Sequence, residues 1–185
     1  IAEDQGARGL DQLLIDRAHA ADVQVAALEP WDTVFTIFAD MTPAEEIDMI
    51  RSSLPAAEHA DDYGQTLIDA YFSGEVWKIW EFNRIDAYAG SNLSHEAIDA
   101  QFAMAEEKLM AERNRNWIAP LTEAARVAAD QGGYVVAGFG ALHLPGDDGV
   151  LKLLDDAGWT LTNLPAPQFT DAPQPVGVND RESAG

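Results

Sequence analysis

The chain has 185 residues, of which 47% are hydrophobic, enough apolar material for one domain with its own core. It contains no cysteine, so no disulfide staples the fold, although cysteine usage leaves the compartment open. A formal net charge of −21 excludes nucleic-acid binding, because so acidic a surface repels a phosphate backbone, and no apolar run approaches the ~20 residues needed to span a bilayer.

In chain order, the first residue is Ile1 rather than methionine, which creates the expectation of a longer parent with an upstream segment, such as a signal peptide, removed. Residues 9–21 predict an amphipathic helix, with Leu10, Leu13, Leu14, Arg17 and Ala18 at helical spacing. Val23, Val25 and Ala27 then alternate with Gln24 and Ala26, the pattern of a short strand that delivers Leu28 and Glu29 to its end. Glu29 there is a candidate ligand or general base. Equally, its carboxylate suits the start of a helix near Pro30.

From Trp31 to Tyr88 the pattern is helical, with breaks expected at Met41-Thr42-Pro43, Ser52–Ala57 and Ser73-Gly74. Thr42, Pro43 and Glu45 form a good helix start. Tyr63, Leu67, Ala70 and Tyr71 share one face of the next helix, and Val76, Trp77, Trp80 and Arg84 share one face of another. These aromatics read as core; exposed, they would form a partner surface.

Ser94 to Asp130 reads as one long helix or two in series, capped by Ser94 and kinked or restarted at Pro120. At a constant helical period Ile98, Phe102, Leu109, Arg113, Asn116, Ala124 and Val127 lie on one face. Arg113 and Asn116 interrupt that apolar stripe. A guanidinium so placed must find a carboxylate, a carbonyl or an anionic ligand, so Arg113 either pairs with Glu112 or Glu29 to hold the fold or serves an anionic group.

The stretch from Tyr134 to Gly149 is the most informative. The uninterrupted β-branched and aromatic run to Phe139 predicts a strand covered on both faces. Gly138 and Gly140 suit close backbone approaches, Pro145-Gly146 closes a turn, and Asp147 or Asp148 can cap the helix that follows. Gly158 ends that helix and Trp159–Leu164 reads as a second, parallel strand, so that residues 140–143 would lie at the carboxyl edge of a sheet, where ligands gather. The expected fold class is therefore α+β, α/β-like in its crossover. A small mixed or parallel sheet is packed by many helices, with a long helical insertion between the strand-bearing units. After Leu164, Pro165, Pro167, Pro173 and Pro175 mark a tail unable to build a core, so the chain divides into a domain at 1–164 and a Pro-rich tail at 165–185.

Of the four histidines, His19, His59 and His95 fall on polar faces or at helix starts beside acids and read as surface. His143 follows the apolar run, flanked by glycines and leucines. By its residues alone it is either a satisfied structural histidine or the imidazole of a site.

The run G-A-L-H-L-P-G-D-D-G-V-L-K-L-L-D-D-A-G-W, the run A-E-R-N-R-N-W at 111–117 and V-A-A-L-E ending at Glu29 resemble signatures of the TraB/GumN family, related to the Tiki proteins and to erythromycin esterases. The resemblance spans roughly residues 8–164 and implies a metal-dependent, peptidase-like hydrolase exported to the periplasm. It implies that the histidine of a GxxH motif, here His143, binds a divalent ion (manganese, cobalt or zinc). Glu29 would then be a ligand or base and Arg113 an oxyanion stabiliser, with Asn114 and Asn116 of the E-R-N-R-N run in secondary roles. Family members carry a second, earlier GxxH, and no such motif precedes His143 here, so this chain is expected to hold an incomplete site. The rival expectation is a non-catalytic accessory module that docks on a larger assembly through its aromatic helices and Pro-rich tail. The peptide or small-molecule substrate is left open.

Overall fold

The computed structural model describes residues 9–39, 41–44, 46–47, 49–51, 60–91 and 93–164. The expected break at 52–57, Glu45 of the helix start, His59 and the tail at 165–185 lie outside these residues.

The described residues form helices and irregular segments. α1 spans Leu10–Ala20, α2 Thr33–Ala39, α3 Ala60–Phe72, α4 Trp77–Gly90 and α5 His95–Glu106. A π-helical turn, Glu107–Ala111, leads directly into α6, Glu112–Asp130; a 3-10 turn, Ala141–His143, precedes α7, Val150–Asp156. Described positions between 43 and 51 are helical as well and carry no label here.

The expected sheet is not formed: no strand occurs among the described residues. The three segments read as strands, 23–27, 134–139 and 159–164, have no regular structure and no neighbouring ladder. Tyr134 and Val136 are 87% and 77% exposed, and Val23, Val25, Leu161 and Leu164 are exposed too. The physical reason is that β-branched side chains express a preference for a pleated, half-buried surface, whereas a strand exists only when its N–H and C=O groups pair with another segment. Among the described residues, backbone bonds at the segment ends belong to helix termini. Val23 N–H donates to the Ala18 carbonyl (2.9 Å), and Trp159 N–H to the Leu154 carbonyl (3.0 Å). The latter closes α7 through Gly158, whose φ of +86° suits glycine at a helix end.

The helical expectations fare differently. Ser94 caps α5, its hydroxyl accepting from Ala97 N–H at 3.2 Å. From His95 to Asp130 the chain is one helical run, and it continues through Pro120 without restarting. α3 packs on α4 and α4 on α5 through edge-to-face aromatic pairs, Tyr63 with Phe82 (5.1 Å) and Trp80 with Phe102 (5.5 Å). α6 packs on α7. The buried apolar residues among those described are Ala70, Ile98, Ala111, Trp117, Leu121 and Val150, so the core is centred where the long helix meets the 141–150 turn.

The π turn decides which face of α6 meets that core. At a constant period the face through Ile98, Phe102 and Leu109 would continue to Arg113 and Asn116. The extra residue of the π turn advances the register by one, and the buried positions become Ala111, Asn114, Trp117 and Leu121. Asn116, Ala124 and Val127 are consequently exposed.

Candidate functional site

Trp117 is the hub. Its indole N–H donates to Glu29 Oε2 at 3.0 Å, and its ring lies 4.6 Å from the His143 imidazole and 5.6 Å from Phe139, centroid to centroid. The Arg113 guanidinium sits over the same indole, 5.0 Å from the ring centre, where a cation gains from the π face. Nothing in the periodicity set Trp117 apart from an ordinary core aromatic; the signal was its position in the E-R-N-R-N-W run.

Arg113 grips Glu29 with two parallel bonds, Nε to Oε2 at 3.1 Å and Nη2 to Oε1 at 2.7 Å. This bidentate geometry is the strongest available to the pair. The third guanidinium nitrogen donates to the Leu109 carbonyl at 2.8 Å, an oxygen inside the π turn. Both partners are largely shielded from solvent. The Arg113 bonds, aided by the Trp117 N–H, hold the Glu29 carboxyl below its ordinary value of 4.5 against the opposing effect of burial, so it is ionised at neutral pH. Of the alternatives open in the sequence, Arg113 pairs with Glu29, while Glu112 pairs with Lys108 (2.8 Å).

His143 is 8% exposed and closes the 3-10 turn. Burial first, and the nearby Arg113 charge second, push its imidazole below 6.5, with Glu29 acting weakly the other way; the ring is neutral at pH 7. Its Nδ1 lies 2.6 Å from Asn114 Oδ1. The Asn114 amide nitrogen donates to the Asp148 carbonyl at 2.8 Å and the His143 carbonyl at 3.4 Å, which ties the turn to α6. Arg115, one residue on, bridges Glu107 of the π turn and the Asp148 carboxylate (2.9 Å to the latter).

The remaining expected residues take other positions. Asn116 faces away from the site and is exposed. Asp148 contributes its carbonyl and its ion pair, and Asp147 lies with Trp77, Met110 and Leu142 on the wall of a pocket of about 220 Å³ beside Asn114. Neither aspartate caps α7, whose N-cap is Gly149 without a side-chain bond. The steric demand for glycine falls at Gly146, with φ +90° and the Trp77 indole 3.6 Å from where a Cβ would stand, and at Gly149, whose Cβ would meet the Pro145 carbonyl oxygen at 2.2 Å. Gly138 has open space around it, and Gly140, with φ −58°, would place a Cβ 3.4 Å from the His143 ring, an ordinary contact.

A hydrolytic metal ion ordinarily takes about three protein ligands and keeps one position open. Among the described residues no three His, Asp or Glu side chains gather in that way. His143 supplies one imidazole nitrogen, while both Glu29 oxygens are engaged by Arg113 and Trp117. Among the described residues the donor set therefore offers one imidazole ligand.

Fold and site together define a helical domain in which an ionised Arg-Glu pair and a neutral imidazole, drawn from three distant segments, meet around one tryptophan. The chain belongs to the TraB/PrgY/gumN family, whose sequence profile matches residues 2–163. Neither the curated proteins nor the solved structures compared with it gave a match. No helix among the described residues is long and apolar enough to cross a membrane.

Proposed function

We propose that this domain carries part of a metal-dependent hydrolytic centre of the peptidase type, with His143 as its reactive imidazole. The observation that carries the reading is a neutral, largely buried imidazole, held through Nδ1, beside a shielded carboxylate-guanidinium pair. Membership of the family supports it. His143 offers Nε2 to a divalent ion or to a proton, and Arg113 contributes positive charge next to Glu29 where an oxyanion would develop. A manganese, cobalt or zinc ion held there would acidify a water and polarise a peptide or ester carbonyl. The further ligands it requires come from outside the residues described, and export to the periplasm is part of the same reading.

The test is His143→Ala. Manganese-stimulated hydrolysis of peptide or ester substrates is expected to be abolished, while the melting temperature moves by no more than several degrees. Undiminished turnover would remove His143 from catalysis. It would favour the second reading, an accessory module that docks on another protein. That reading draws on Trp31 and Phe72, which are 85% and 82% exposed, far more than an isolated domain core would leave them.

A further inference from the structure

We infer that Asn114 is a positioning residue for His143, holding the ring as its Nδ1–H tautomer so that Nε2 carries the free electron pair. This deepens the reading of His143 as the reactive imidazole and rests on it.

Hydrogen-bond valence fixes the assignment. Asn114 is only 2% exposed, and its amide faces three polar atoms: the carbonyl oxygens of Asp148 and His143, and His143 Nδ1. Carbonyl oxygens only accept, so the amide NH2 must face those two, which leaves Oδ1 toward the ring at 2.6 Å. An amide oxygen accepts as well, so Nδ1 must carry the proton. Nε2 then has a lone pair. It makes no hydrogen bond among the described residues, and no buried side-chain nitrogen or oxygen among them lacks a partner, so Nε2 reaches solvent.

Histidine free in water favours the opposite tautomer, with the proton on Nε2. The protein has inverted that preference with one neutral amide, and the same amide grips the backbone of residue 143, so ring and main chain are held as a unit. A carboxylate in place of the amide would turn an acceptor toward two carbonyl oxygens and add a second negative charge near Glu29. Accepting a proton or ligating an ion both need an unprotonated nitrogen with a fixed direction, which a partner on the other ring nitrogen provides.

The measurement is the nitrogen-15 spectrum of the imidazoles in the 185-residue chain, at a pH where His143 is neutral, with its signals assigned by their loss in His143→Gln. A protonated-type shift for Nδ1 with an unprotonated-type shift for Nε2 is expected; the reverse pattern, or an even mixture, overturns the inference. In Asn114→Leu the ring is expected to relax to the Nε2–H form, with manganese affinity and stimulated turnover lowered roughly 10- to 100-fold. An unchanged Nδ1–H signal there also overturns it. Should Asn114→Leu fail to fold, the spectrum of the native chain decides alone, and absence of the Nδ1–H form there overturns the assignment. If the native chain has the Nδ1–H form but His143→Ala leaves turnover undiminished, the positioning role stands and the hydrolytic reading fails.

Discussion

Two regions of the molecule have very different surroundings. Around α6 and the 141–149 turn, Asn114, Trp117 and His143 are buried, and the Asn114 amide, the Trp117 N–H and His143 Nδ1 each have a named partner. Along α3 and α4, Ala70 alone is buried, while Leu67, Tyr71, Phe72 and Ile85 face solvent and the two helices meet through the edge-to-face pair of Tyr63 and Phe82. The difference teaches that order in this molecule is concentrated at the polar cluster. Buried hydrogen bonds specify the first region; aromatic contact and solvent-exposed polar contacts, such as those of Arg84 and Tyr88 with Asp99, serve the second.

The sharpest way to break the contrast is Trp117→Ala, which removes a 6% exposed side chain touching Glu29, Arg113, Phe139 and His143 together. Urea unfolding is expected to show a loss of about 3–5 kcal/mol, the range for deleting a large buried aromatic. A loss below about 1 kcal/mol would mean that the cluster does not organise the fold.

Arg113→Met comes next, because it leaves the Glu29 carboxylate with the Trp117 N–H alone. Breaking a fully buried pair costs about 3–5 kcal/mol; both side chains retain some solvent contact here, so about 1–3 kcal/mol is expected. The pH profile sharpens this. Glu29 has its carboxyl value lowered by folding, so its contribution is complete above 4.5 and is lost as pH falls through the lower folded value. His143 is lowered as well, so its contribution is complete above 6.5 and declines as pH drops toward its folded value. Native stability should therefore fall with acid in two windows. Arg113→Met should flatten the lower one, since Arg113 is the largest cause at Glu29. It should largely spare the upper one, where burial leads. Denaturation midpoints between about pH 3 and 8, a range set by about one and a half units beyond each ordinary value, would reveal an unchanged lower window if the pair were dispensable.

The smallest effect belongs to the other region. Phe72→Ala removes a ring that is largely in solvent, and its stability change is expected within about ±0.5 kcal/mol. A larger loss by thermal melting would show that α3 is bound more tightly than its exposure implies.

Much of the site was legible in the chain because its residues break their own context. Glu29 ends an apolar run, Arg113 interrupts an apolar stripe, and His143 follows glycines and leucines; the structure brings all three to one indole. What could not be read was phase. Asn116, and not Asn114, falls on the apolar face at a constant period, and no residue type in Glu107–Ala111 announces the inserted residue that exchanges them. The sheet was misread for a related reason. The side chains of Tyr134–Phe139 state a preference, but a ladder depends on a second segment being alongside, which local composition does not encode. Gly149 was missed because its demand arises from the Pro145 carbonyl folding back on it, a contact made only once the turn has closed.

The π turn makes the chemistry of this domain depend on counting as much as on identity. Excising one residue between 107 and 111 would return the rod to ordinary pitch and leave Asn114 and Trp117 facing the core, because the bulge already takes up one residue. Adding one there at ordinary pitch would swing everything beyond it by about 100° about the axis. Every functional side chain would survive such an insertion, yet the guanidinium would move out of reach of its acid and the amide would lose the imidazole. For a helix built this way, a lengthened chain is a more damaging lesion than a shortened one.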